Sequence, residues 1–177
     1  TTDLTLDPQT WVHHNTANLG GGISIRANAT ESIENGNPIE YTVRFEQNGA
    51  AVYQNTAIKK DDGTCGHGGG IYFIAESYPN SSDNQAEVDK YTKVILINSG
   101  TATYTSKDDA GNTVQTTVSS DPAVYNNTAQ GNGGGIYMQS SENTELRVQN
   151  GHISTNIGLN GGGIYLTGKD ATCYVEG

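Results

Sequence analysis

A Gly-Gly-Gly-Ile tetrapeptide occurs four times in this chain, each time downstream of an Asn that closes a short run led by Val or Ile. The copies read VHHNTANLGGGISI, VYQNTAIKKDDGTCGHGGGIYFI, VYNNTAQGNGGGIYM and ISTNIGLNGGGIYL, starting at Val12, Val52, Val124 and Ile153. A recurring pattern of this kind marks a repeat architecture, in which each unit buries its apolar face only against its neighbours. It also bears on function, because repeat proteins usually act through shape and length and not through one catalytic pocket.

The registering asparagines are Asn15, Asn55, Asn127 and Asn156, separated by 40, 72 and 29 residues. The shortest interval is the bare unit, so one coil takes about 29 residues and the excess elsewhere is loop. Three short strands can be read in each unit. The first carries Leu146-x-Val148, with counterparts Leu4-x-Leu6, Val43-x-Phe45, Thr116-x-Val118 and Cys173-x-Val175. The second opens at Val12, Val52, Val124 or Ile153 and ends at the Asn. The third follows the glycines, with Ile23-x-Ile25, Ile71-x-Phe73, Ile136-x-Met138 and Ile164-x-Leu166. Alternation at period two is the pattern of a half-buried strand, so these apolar pairs should point inward. Stacked coil on coil at roughly 4.8 Å per step, they predict three parallel sheets around a narrow core. The expected fold is an all-β parallel β-helix, a solenoid with three short strands per coil, forming a single domain over 1–177.

Composition agrees with a thin core. Only 33% of residues are hydrophobic and Gly contributes 23, too lean for two thick packed layers but suited to a solenoid with a polar outer wall. The net charge of −10 argues against nucleic acid and anionic membrane surfaces as partners. No apolar run reaches the roughly 18–20 residues of a membrane helix, so no membrane insertion is expected.

Turn chemistry explains both motifs. The first glycines, Gly20, Gly68, Gly133 and Gly161, allow the positive φ or close approach that a sharp corner needs. Each Asn can take left-handed geometry, and stacked amides can hydrogen-bond as a ladder. Insertions are expected near 34–38, 59–67 and 76–115, the last containing a further apolar run, Lys93–Ile97. One face of a solenoid commonly gathers such loops as a recognition surface.

The unit [FVI]-x-x-N-[TI]-[AG] followed by GGGI resembles the paired motifs of chlamydial polymorphic outer membrane proteins, which repeat GGA[ILV] and FxxN. Phe45-Glu-Gln-Asn48 is a literal FxxN; elsewhere Val or Ile replaces Phe, and a third Gly replaces Ala. The resemblance implies a right-handed parallel β-helix on a cell surface, acting in adhesion, display or assembly. Right-handedness also follows the usual crossover rule. The family has no catalytic residue to carry over.

Sites of chemistry are scarce. A β-helix polysaccharide lyase or hydrolase needs carboxylates clustered on one sheet with a basic partner. Asp61, Asp62, Asp108 and Asp109 fall in expected loops, and Arg26, Arg44 and Arg147 hold different strand positions. No enzyme, catalytic residue or cofactor is therefore expected. His13 and His14 are adjacent, so in a strand they should face opposite ways. Cys65 and His67 share a loop, but a zinc site would want about four ligands, so no metal is expected. Cys173 takes the slot of Leu146 and should be buried, several coils from Cys65. An intramolecular disulfide would therefore need the loop to fold back along the helix, and a bridge between neighbouring subunits stays open.

Tyr72, Tyr137 and Tyr165 each follow the Ile of GGGI, and Tyr53 and Tyr125 follow the Val of the second strand. If the aliphatic residues point in, these rings face out and stack along the coils. Their readings are cross-coil stabilisation or an aromatic track that contacts glycans or a neighbouring molecule. Sequons stand at Asn28, Asn80 and Asn126.

The chain opens and closes at first-strand positions without a cap, and no signal peptide precedes Thr1. It reads as a slice of a longer stalk or as a subunit that stacks head to tail. The sequence therefore predicts a non-catalytic extracellular structural protein that forms or extends a surface fibre. Its expected partners are itself or flanking β-helix repeats, with glycans or a host surface as further contacts. The alternatives are a carbohydrate-binding or carbohydrate-cleaving β-helix, and a monomeric binding module acting through the 76–115 insertion.

Overall fold

The computed structural model describes residues 2–30, 33–34, 37–38, 42–78, 92–140, 144–168 and 171–176. Among these residues the regular structure is all strand, most of it in parallel sheets, with no helix. This is the strand class and pairing direction that the period-two apolar pairs predict.

The chain passes the same sheets in the same order and returns each time beside its previous passage. The first sheet holds Thr2–Leu6, Thr42–Asn48, Thr92–Asn98, Thr144–Gln149 and Ala171–Glu176. The second holds Trp11–His13, Ala51–Tyr53, Ala123–Tyr125 and His152–Ser154. A third, unexpected ladder of two-residue strands follows each Asn: Thr16–Ala17, Thr56–Ala57 and Thr128–Ala129, joined by a single bridge to Ile157. Strands this short carry no readable periodicity. The fourth sheet holds Ile23–Thr30, Ile71–Tyr78, Ile136–Ser140 and Ile164–Gly168. We call one passage through the sheets a circuit.

Register is strict. Val12, Val52, Val124 and Ile153 pair in a row, as do Ile23, Ile71, Ile136 and Ile164. Phe45, Val52, Ile71, Phe73, Ile97, Val124, Ile136, Met138 and Leu146 are wholly buried in one cluster between the sheets. Each such side chain contributes about 1.5–3 kcal/mol by leaving water. Gln47 breaks the apolar pattern at a core position between Leu6 and Ile97. Its Nε2 donates to the carbonyls of Ala50 at 2.7 Å and Ala123 at 3.0 Å, tying two circuits together at a corner.

The third circuit corrects the expected register. Ile95 and Ile97, not Thr116 and Val118, pair with Phe45 and Gln47 on one side and Leu146 and Val148 on the other. Thr116 and Val118 belong to an antiparallel hairpin, Gly100–Lys107 with Thr113–Ser120. The 76–115 interval is thus partly strand of the first and fourth sheets and partly hairpin, with 79–91 outside the described residues. Apolar density decides between the two runs: KVILI pairs into the first sheet and buries Ile97, whereas TVQTTVSS makes an exposed hairpin arm. Tyr104 anchors that hairpin by donating its hydroxyl hydrogen to the carbonyl of Pro8 in the first circuit. Asp108 closes the hairpin tip, accepting from the backbone N–H groups of Ala110 and Asn112.

The other insertions are smaller. Ile33–Glu34 and Asn37–Pro38 pair antiparallel. Lys59 and Cys65 close a turn by a single antiparallel bridge, after which Gly66 and His67 rejoin the neighbouring circuits.

Candidate functional site

The most ordered polar feature is the corner where each Asn meets the glycines of its neighbour. Asn55 donates from its backbone N–H and from Nδ2 to Asn127 Oδ1, both at 3.0 Å. Asn127 does the same to Asn156 Oδ1 at 2.9 and 3.0 Å, and Asn15 to Asn55 Oδ1 at 3.1 and 3.0 Å. The second Nδ2 hydrogen of Asn55, Asn127 and Asn156 goes to the carbonyl of Val12, Val52 and Val124 respectively. The two inner amides therefore make all four bonds an amide can make, at 1% and 0% exposure. A buried network this complete is stabilising and fixes register, since slipping one residue would leave every member unpaired.

The glycines are the steric complement of that spine. A Cβ on Gly70 would lie 3.0 Å from Asn127 Nδ2, and one on Gly135 would lie 2.9 Å from Asn156 Nδ2. The first glycines, Gly20, Gly68, Gly133 and Gly161, have φ of +63°, +68°, +69° and +59°. The left-handed residue beside each Asn is the one before it: His14, Gln54, Asn126 and Thr155, with φ between 52° and 57°. That corrects the expectation of left-handed asparagines. The amide spine fixes the Asn backbone, so the turn is made one residue earlier.

Tyr72, Tyr137 and Tyr165 stack at 5.2 and 5.5 Å between centroids, within 12° of parallel. They lie on the face opposite the main core, as alternation requires, but Tyr72 and Tyr137 are only 6% and 7% exposed. The segment between the Asn and the glycines folds over them: Leu19 packs on this cluster, and the His67 ring stacks on Tyr137 at 4.8 Å. Burial, with Tyr72 and Tyr165 beside it, pushes the Tyr137 hydroxyl up to about 12. This ladder is a second small core and not an outer track. Tyr53 and Tyr125 form a half-buried stack at 4.9 Å and 5°, continued by His13 at 4.9 Å from Tyr53. Face-to-face stacking spends the ring faces on each other and turns edges outward. Sugars pack on ring faces, so these columns make a poor glycan platform.

His13 and His14 do not face opposite ways. The left-handed backbone of His14 swings its ring beside that of His13, Nδ1 to Nδ1 at 2.6 Å. His67 Nδ1 accepts the backbone N–H of Asn132 at 3.0 Å, and burial, with Lys59 nearby, holds its pKa below the usual imidazole value. Neither the His pair nor the His67 latch is legible from spacing alone, since both depend on turn conformation.

Cys173 does pair with Leu146, but it is exposed, because among the described residues Ala171–Glu176 is the edge strand of its sheet. Both cysteines are free. The aspartates expected in loops are exposed, and Asp62 accepts from the N–H and hydroxyl of Thr64. Arg44 pairs with Glu46 at 3.0 Å and Arg147 with Glu145, neighbours on one strand face. Among the described residues no three His, Cys, Asp or Glu gather as metal ligands. Of the sequons, Asn126 is exposed and accepts the Thr155 hydroxyl at 2.6 Å, Asn28 stands in the strand Ile23–Thr30, and Asn80 lies outside the described residues.

A Chlamydia polymorphic membrane protein repeat matches residues 123–139, the stretch from the second-sheet strand through Asn127 and the glycines into the fourth sheet. The chain is thus similar to that family over one repeat, coinciding with its most buried corner. No curated protein and no solved structure matches the chain.

Proposed function

We propose that this chain is a non-catalytic, adhesin-like structural segment of a cell-surface protein, a right-handed parallel β-helix whose circuits lengthen a stalk or fibre. The observation that carries the reading is the in-register amide spine from Asn15 through Asn55 and Asn127 to Asn156. A spine of identical links can be extended by one more circuit without redesigning the core, which is what a length-determining element requires. The polymorphic membrane protein repeat over 123–139 supports a surface location and an adhesin-like role.

Stacking of further circuits, whether from flanking repeats or from a second copy head to tail, is the assembly mode we favour. Beside the last circuit an apolar groove of about 280 Å³ is lined by Val148, Gly151, Ile153, Gly163, Ile164 and Val175. These residues continue the inward columns of the core, so another circuit would bury them as the inner ones already are.

Negative-stain electron microscopy with light scattering over a concentration series tests the assembly. Uniform threads one β-helix wide are the expected result. A monomer at every concentration would sink self-stacking and leave a display segment bearing the 100–120 hairpin.

A further inference from the structure

We propose that the last circuit docks the first circuit of a second copy of this chain, in one polarity and one register. The inference rests on the stacking reading above and adds which faces meet, in which direction and at which residues. Its ground is that the corner hydrogen bonds run one way. Asn15, Asn55 and Asn127 each donate from N–H and Nδ2 to the Asn of the following circuit. Ile23, Ile71 and Ile136 likewise donate their N–H to the carbonyls of Gly70, Gly135 and Gly163, at 2.9, 2.8 and 2.8 Å.

The two end faces are therefore unlike. On the last circuit the N–H groups of Asn156 and Ile164, and one Nδ2 hydrogen of Asn156, have no acceptor among the described residues. On the first, Asn15 Oδ1 and the Gly22 carbonyl have no donor among them. One more step of the same rule brings the two sets together. Asn15 Oδ1 of a second copy takes both Asn156 donors, and the Gly22 carbonyl of that copy takes the Ile164 N–H. The donations from Asn55, Asn127 and Asn156 back to Val12, Val52 and Val124 continue from Asn15 of the second copy to the Ile153 carbonyl. Two last circuits brought together would set the Asn156 donors against each other.

The apolar columns agree with that register. Leu146 pairs with Cys173 and Val148 with Val175, in the rows that Leu4 and Leu6 begin in the first circuit. A second copy continues those rows by placing Leu4 beside Cys173 and Leu6 beside Val175. Leu4 is 44% and Val175 69% exposed, and both are covered in this arrangement. The groove at Val148, Ile153 and Ile164 is filled by the same step.

Disulfide trapping tests the register, in a Cys65→Ser background where Cys173 is the one remaining thiol. Leu4→Cys then places a second thiol on a strand about 4.8 Å from Cys173 across the proposed contact, within disulfide range. Leu4 is partly exposed, so the substitution is mild, and circular dichroism confirms that the sheets persist. Thr5→Cys is the control, because its side chain points to the opposite sheet face. Each variant is treated with oxidised glutathione and read by non-reducing electrophoresis and peptide mass mapping, with light scattering on the reduced chain. The expected result is association that grows with concentration, and linked oligomers joined from the new thiol to Cys173. These should be roughly tenfold more abundant for Leu4→Cys than for Thr5→Cys. Association without that preference, or Cys173-to-Cys173 dimers as the main product, would overturn the register and polarity and leave stacking itself in place. A monomer at every concentration would overturn the inference and self-stacking together.

Discussion

The third and fourth circuits carry nearly the same motif, yet only one of them is a core. In the third, Asn127 and Ile136 are 0% exposed and Tyr137 is 7% exposed. In the fourth, Asn156, Ile164 and Tyr165 are only half-buried, and Ile157 and Leu159 are 65% and 70% exposed. The glycines differ in the same way. A Cβ on Gly135 would meet the Gly163 carbonyl at 2.6 Å, whereas one on Gly163 meets only Ile153 at 3.5 Å. Burial and steric demand are therefore not properties of the motif. They come from the circuit on the far side.

Paired substitutions can break that comparison. Tyr137→Ala should destabilise the fold by about 4 kcal/mol, and Tyr165→Ala by about 1–2, because one ring is sandwiched and the other stacked on one side. Chemical denaturation of the two variants reads the difference, and equal costs would contradict it. Gly135→Ala should cost about 3 kcal/mol through the backbone shift its methyl forces, with Gly163→Ala below about 0.5. Thermal unfolding suffices here, and a silent Gly135→Ala would mean that the circuits sit further apart than described.

The amide spine makes a graded series. Asn127→Ala removes both donors and the shared acceptor in a dry site and should cost about 2–3 kcal/mol. Asn15→Ala, at the exposed start of the spine, should cost about 1 or less. Matching midpoints in urea would show that the ladder contributes no cooperativity. The smallest effect is one of pH. His67 has a lowered pKa in the folded chain, so its contribution is fully present above the unfolded value of about 6.5 and is lost as pH falls through the folded value. Stability should fall modestly over that window, and His67→Asn should flatten the part of the profile that His67 supplies.

The strand class and the inward columns were legible because Ile71-x-Phe73, Ile136-x-Met138 and their counterparts alternate strictly. The spine was legible too, since the same Asn recurs before the same glycines. Three things were not. Lys93–Ile97 reads as an insertion because the 29-residue spacing fails where a hairpin interrupts the circuit after the first strand instead of before it. Tyr72 and Tyr137 read as outer residues because nothing in alternation reveals that Leu19 and His67 fold back over that face. His13 and His14 read as divergent because a single left-handed residue ends the strand at His13.

The central claim is that neighbouring circuits, stacked in register, supply the order. Hydrogen exchange of the asparagine side-chain amides by NMR tests it most directly. The account predicts slow exchange for Asn55 and Asn127, faster exchange for Asn156, and the fastest for Asn15, whose side chain is exposed. Uniformly fast exchange of all four would contradict a buried spine and the stacking built on it.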